Sequence, residues 1–165
     1  MSAPKNLEEC YTGELKDLIS ANDQMVRVVK ELHSRAKNAD LKTHLKKSID
    51  GIEKHTDTIE GLLKDCGESG KEHCKGMEGL CKEARKHAID EAPDDKSVQD
   101  VLILAQYQRL CHYGITGFGT ARAFADGLGK AEHSSKLEQI TGDIYASDEE
   151  MTKVAENCVN EAAKV

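Results

Sequence analysis

An all-α fold of four long helices and one helical crossover is expected on three grounds. Ala, Glu, Lys, Leu and Asp dominate the 165 residues, Trp is absent, there are two Phe and four Tyr, and only two prolines interrupt the chain. This is the composition of a helix bundle rather than a sheet. Apolar residues recur three and four apart over four stretches of similar length. The breaks between those stretches isolate a fifth, helix-forming segment without a continuous apolar seam of its own.

The first helix, about residues 6–37, carries Leu15, Leu18, Met25, Val29 and Leu32 on one face, with Asn22 as the polar member of the seam. Asn38, Ala39 and Asp40 break the pattern, and Asp40 is a plausible N-cap. The second helix follows through Leu41, Leu45, Ile52, Ile59 and Leu62, and its seam holds Ser48 and His55. "CGESG" ends it at 66–70 and "APDDKS" at 92–97 opens the next long helix. About 20 residues between them, roughly 71–92, would span about 30 Å as a helix. A segment of that length carries the chain from one end of a bundle to the other, so the second and third long helices should run parallel. The third, about 97–128, holds Val98, Val101, Leu102, Leu104, Ala105, Leu110, Ile115 and Phe118, with Gln108, Cys111 and His112 as its polar centre; Gly127 and Gly129 end it. The fourth, about 131–162, follows Leu137, Ile140, Ile144, Met151, Val154 and Cys158, interrupted by Asp148.

One domain covering 1–165 is large enough to bury a core unaided. The formal charge of −7, with acids and bases interspersed, disfavours nucleic acid and anionic membranes as partners. "MSAPKNLEEC" lacks the apolar run of a signal peptide, and no segment approaches the roughly 20 apolar residues of a membrane span. A cytoplasmic location is expected. In that reducing compartment the six cysteines should be thiols, with Cys66, Cys111 and Cys158 as small core fillers.

Each long helix interrupts its apolar face near its midpoint: Asn22, His55, the Cys111–His112 pair and Asp148. Midpoints of helices of similar length meet at one level of a bundle, where facing side chains build metal and cofactor sites. The alternative is a buried hydrogen-bond network of Asn, His, Thr56 and Asp that fixes helix register. Gly114, Gly117 and Gly119, in "RLCHYGITGFG", could likewise be a small-residue stripe admitting a neighbouring helix such as the crossover. On the crossover, Glu83 and His87 are spaced for a surface ion pair, and Cys74, Glu78 and Cys81 share a stripe suited to packing on the bundle.

The order of elements, with "LKDLISANDQM", "CKGMEGLCKEA", "CHYGITGFGTARAFADGLG" and "SDEEMTKVA", resembles the YciE/YciF-type ferritin-like proteins, bacterial stress-associated proteins of no established activity. The resemblance covers nearly the whole chain. It implies a homodimeric ferritin-like bundle with carboxylate ligands for two metals, and it transfers in part. Asn22 stands where the first helix would supply a glutamate, although Asp17 and Ala21 fit the pattern. Glu53 matches a carboxylate position beside His55 and Thr56. Cys111 replaces a typical glutamate and Gly114 a frequent second one, while His112, Tyr113 and Gly119 agree. Asp148 and Asp143 are retained, and Ile144 occupies a turn where glutamates are usual. Independently, di-iron bundles use two Glu-x-x-His pairs, and this sequence has none.

The resulting expectation is a stress-associated bundle with a degenerate di-metal centre formed by Asn22, Glu53, His55, Cys111, His112, Asp143 and Asp148, non-enzymatic and without a di-iron pair. An alternative is a binding protein for one zinc or copper ion through Cys111, His112, His55 and Asp148, whose S, N and O donors suit softer ions. A modified di-iron oxidoreductase ranks third.

Overall fold

The computed structural model describes residues 3–164, leaving Met1, Ser2 and Val165, at the ends of the expected domain, outside the described residues. Its long helices are α1 (Leu7–Arg35), α2 (Ala39–Asp65), α4 (Lys96–Gly127) and α5 (Ala131–Val154). The shorter α3 (Lys75–Arg85) continues as a π-helical turn over Lys86–Asp90. A second π-helical turn, Ala155–Val159, links α5 to the terminal turn α6 (Asn160–Ala162). There is no strand among the described residues.

Caps fix the ends. Asn6, Asn38 and Asp95 accept backbone amides at the starts of α1, α2 and α4. The cap of α2 is therefore Asn38 and not Asp40, because the Asn38 side chain reaches the amides of Asp40 and Leu41, both at 3.0 Å. Helices α2 and α4 stop in the same way. Gly67 (φ 74°) and Gly129 (φ 70°) take the left-handed conformation, and the three amides after each helix return to carbonyls in its last turn.

Cross-helix pairs give the topology. Lys37 and Asn38, just past the end of α1, meet Asp100 at the start of α4, whereas Asp17 meets Tyr113 further along α4. These two helices are antiparallel. His44 and His55 on α2 pair with Glu150 and Asp143 on α5, which are antiparallel as well. Since α1 and α2 form one hairpin and α4 and α5 another, α2 and α4 run parallel across the bundle diagonal, as the crossover requires. The ring order is α1, α2, α5, α4, and the core divides into two clusters at opposite ends.

The crossover helix is shorter than the expected 71–92. Residues 68–74 run beside α1, tied by the Glu72 amide to the Lys16 carbonyl (3.1 Å) and the Cys74 amide to the Ser20 hydroxyl (3.0 Å). Cys74 then caps α3, its sulfur accepting the Met77 amide at 3.3 Å. From there α3 rides in the groove between α1 and α4, burying Met77, Cys81 and Ala84. The expected stripe of Cys74 and Cys81 thus faces the bundle, while Glu78 pairs with His73 and Lys82, and Glu83 pairs with His87 at 3.0 Å on the surface. Helix α4 is apolar around most of its circumference because α1, α3 and α5 all pack against it.

Candidate functional site

A cavity of about 290 Å³ opens between α2 and α5 and reaches the bundle centre. Asn22 from α1 and Cys111 and Gly114 from α4 lie at its inner end, where Asn22 and Cys111 are 5% and 1% exposed. Met25, Ile52, Leu110 and Ile144 supply apolar wall. The seam between α2 and α5 supplies the mouth. His55 donates from Nε2 to Asp143 Oδ2 (3.2 Å), and His44 Nδ1 pairs with Glu150 Oε2 (3.1 Å).

Between those pairs lies a chain of hydroxyls. Ser48 donates to the His44 carbonyl at 2.9 Å and lies 2.6 Å from the Tyr107 hydroxyl, which lies 2.7 Å from Ser147 Oγ. With the Ser48 proton already placed, Tyr107 donates to Ser48 and Ser147 to Tyr107, so every proton in the chain has an acceptor. Burial pushes the Tyr107 phenol far above its ordinary value, helped by Cys111. Burial likewise raises the Cys111 thiol to about 12, against the nearby Tyr107 hydroxyl, which pulls it down. Both are neutral near pH 7, and Cys111 is a thiol rather than a reactive thiolate. Burial also lowers His55, partly offset by its hydrogen bond with Asp143.

The seven residues expected to converge do not all do so. Asn22, His55, Cys111 and Asp143 border the cavity. Glu53 lies on the outer face of α2, where it pairs with Lys30 at 2.7 Å. His112 projects outward, its side chain 63% exposed, and donates to Asp148 Oδ2 at 3.1 Å. Asp148 faces the outer α4–α5 seam, where Gln108 donates to its Oδ1 at 3.2 Å. Helical geometry separates them: Glu53 is one residue beyond the inward Ile52, and His112 one beyond the inward Cys111, a rotation of about 100° in each case. Asp143 and Asp148, five apart on α5, face different neighbours for the same reason.

The register network does form in part, since Asn22 Nδ2 donates to Thr56 Oγ1 at 3.2 Å. Tyr107, Ser147, His44 and Glu150 were not anticipated. Tyr107, Cys111 and Gly114 are spaced i, i+4, i+7, which places the tyrosine on the face of the cysteine and was the available signal. The cysteine expectation also changes. The buried thiols are Cys74, Cys81 and Cys111, whereas Cys66 and Cys158 are partly exposed, and all six are unpaired.

The chain matches the family described as a domain of unknown function, DUF892, over residues 6–164. It belongs to that family. Escherichia coli YciF is 28% identical over 168 residues, covering 97% of this chain and 96% of YciF. The structure of YcfI from Rhodopseudomonas palustris superposes with a TM-score of 0.87 at 27% identity, covering 92% of this chain and 96% of that one. The crystal structure of the E. coli stress protein YciF gives 0.85 at 27% identity, with 95% and 99% covered. A Xanthomonas campestris protein with a TM-score of 0.77 and 15% identity shares the fold, over 96% and 97% of the two chains.

A two-metal centre of the kind implied by the resemblance does not fit the residues of this DUF892 chain. Two hard cations need bridging carboxylates at the centre of the bundle. The inner cavity offers an amide, a thiol, Gly114 and Ile144, and its two carboxylates, Asp143 and Glu150, lie at the mouth against histidines. Among the described residues no three His, Cys, Asp or Glu side chains are grouped to hold an ion. No helix among them is long and apolar enough to cross a membrane.

Proposed function

We propose that this DUF892 protein is a stress-associated bundle of non-enzymatic, structural role, in which the di-metal centre of ferritin-like proteins has degenerated into a neutral cavity. The observation that carries the reading is the pairing of Asn22 and Cys111 at the cavity's inner end, where carboxylates would have to bridge two ions. The kinship with the stress protein YciF supports the physiological setting. Six unpaired thiols suit a cytoplasmic location. A homodimer remains part of the proposal on family resemblance; Ile19 and Ile103, apolar residues outside the helix seams that could have faced a second copy, are 3% and 0% exposed and serve the monomer's own core.

Elemental analysis of protein produced with iron supplementation tests the reading. Well under one iron per chain is expected, in a species that sediments as a dimer. Two irons per chain would overturn it. The second reading, a single zinc or copper ion, keeps only Cys111 and His55 of its four expected ligands at one cavity, since His112 and Asp148 face outward. A stoichiometric zinc or copper lost on Cys111→Ser would establish that reading instead.

A further inference from the structure

We infer that the cavity between α2 and α5 binds a small uncharged organic molecule, an apolar body about the size of one substituted aromatic ring bearing a hydroxyl or N–H donor. The inference rests on the reading that no metal pair fills the site. Size comes first. A dry apolar cavity of about 150 Å³ accommodates benzene, and the 290 Å³ here leaves room for a ring and a short substituent.

Hydrogen-bond accounting sets the polarity. Thr56 donates its proton to the Ile52 carbonyl at 2.9 Å, so its oxygen accepts from Asn22 Nδ2. That fixes the amide orientation and leaves Asn22 Oδ1, on a residue 5% exposed and bordering the cavity, with no hydrogen-bond partner in the protein. That carbonyl opens onto the cavity and takes its donor from whatever fills the space. In the hydroxyl chain, Ser147 gives its proton to Tyr107, Tyr107 to Ser48 and Ser48 to the His44 carbonyl, so Ser147, whose other hydroxyl neighbour is Ser48 Oγ at 3.4 Å, keeps a lone pair to accept with. The unmet valences therefore ask for a ligand that donates.

Charge is excluded by the surroundings. Inside are an amide, hydroxyls and a thiol, and the charged groups of the mouth are already paired, His44 with Glu150 and His55 with Asp143. Lys47 sits at the rim, exposed, and offers an anion only a hydrated partner. Burying an ion against the inner surface would cost its hydration without a counter-charge.

The test compares benzyl alcohol, toluene and benzoate by methyl NMR of Met25, Ile52 and Ile144. Benzyl alcohol should give saturable shifts in all three, with at least threefold tighter binding than toluene and tenfold tighter than benzoate. Gly51 lines the cavity, and a Cβ there would meet nothing within 4 Å. Gly51→Leu should therefore fold, gaining helix propensity, while weakening benzyl alcohol binding at least tenfold. Asn22→Leu should abolish the preference for benzyl alcohol over toluene. Absence of saturable shifts, equal binding of benzoate, or undiminished binding by Gly51→Leu would each overturn the inference. Iron analysis of the same sample separates the failures: two irons per chain overturn the reading beneath it, whereas a metal-free sample indifferent to benzyl alcohol overturns the inference alone.

Discussion

Within "RLCHYGITGFG" neighbouring residues meet different surroundings. Cys111 borders the cavity, His112 reaches Asp148 outside, and Tyr113 places its hydroxyl 2.8 Å from Cys74 Sγ and 3.1 Å from Asp17 Oδ2. A Cβ at Gly114 would lie 3.3 Å from Ile144 Cδ1, and one at Gly117 would lie 2.7 Å from Leu18 Cδ2. The glycines are thus not one stripe, and Gly119 meets nothing within 4 Å. The close approach to the crossover is made instead by Gly76, where a Cβ would stand 2.8 Å from the Tyr113 ring. Gly76→Ala is expected to destabilise the protein by about 1–3 kcal/mol through overpacking. Tyr113→Phe, which keeps the ring and loses two hydrogen bonds, should cost about 1–2 kcal/mol. Urea denaturation of both variants checks this, and wild-type stability in Gly76→Ala would show that the contact yields freely. The motifs "CKGMEGL" and "HYG" were visible in the sequence, but their mutual contact was not. Periodicity reports which residues share a face of one helix and is silent about what stands opposite.

Helices were legible to within a few residues because caps and periodicity agree at most of their ends. Two discrepancies have local causes. The crossover helix begins at Lys75 rather than near 71 because Cys74 serves as its cap and the preceding segment bonds to Lys16 and Ser20 instead. The α2 cap moved from Asp40 to Asn38 because the Asn38 side chain reaches two amides. Glu53 shows a different failure. The family pattern drew it inward, although the spacing of Ile52, His55 and Ile59 already turned it outward, and the periodicity was the better guide. The join between the two hairpins also escaped the sequence. Asp100, 4% exposed, accepts the amides of Lys37 and Asn38, each at 2.8 Å, and so ties the start of α4 to the α1–α2 turn. Asp100→Ala should lose about 2–4 kcal/mol by stranding both amides, and Asp100→Asn roughly half of that. Thermal unfolding of the pair measures it, and equal losses in the two variants would refute the two-oxygen account.

At the scale of the whole molecule, the four seams are unequal. The α1–α2 and α4–α5 hairpins pack closely, and α1 meets α4 with α3 laid over one half of their groove. The α2–α5 seam is the thinnest and is bridged by His44–Glu150, His55–Asp143 and the Ser48–Tyr107–Ser147 hydroxyls. This inequality was beyond the sequence, which places polar residues at the centre without saying which pair of helices they separate. The covalent link between the hairpins runs along the side away from the cavity mouth, so local breathing should begin at the α2–α5 seam, which has the least packing to lose. Native-state hydrogen exchange should register that breathing as earlier opening of the facing amides of α2 and α5 than of α1 and the middle of α4. Uniform protection across all four long helices would mean that the molecule opens only by unfolding. Breathing confined to that seam would give a guest its way in through the weakest edge of the bundle.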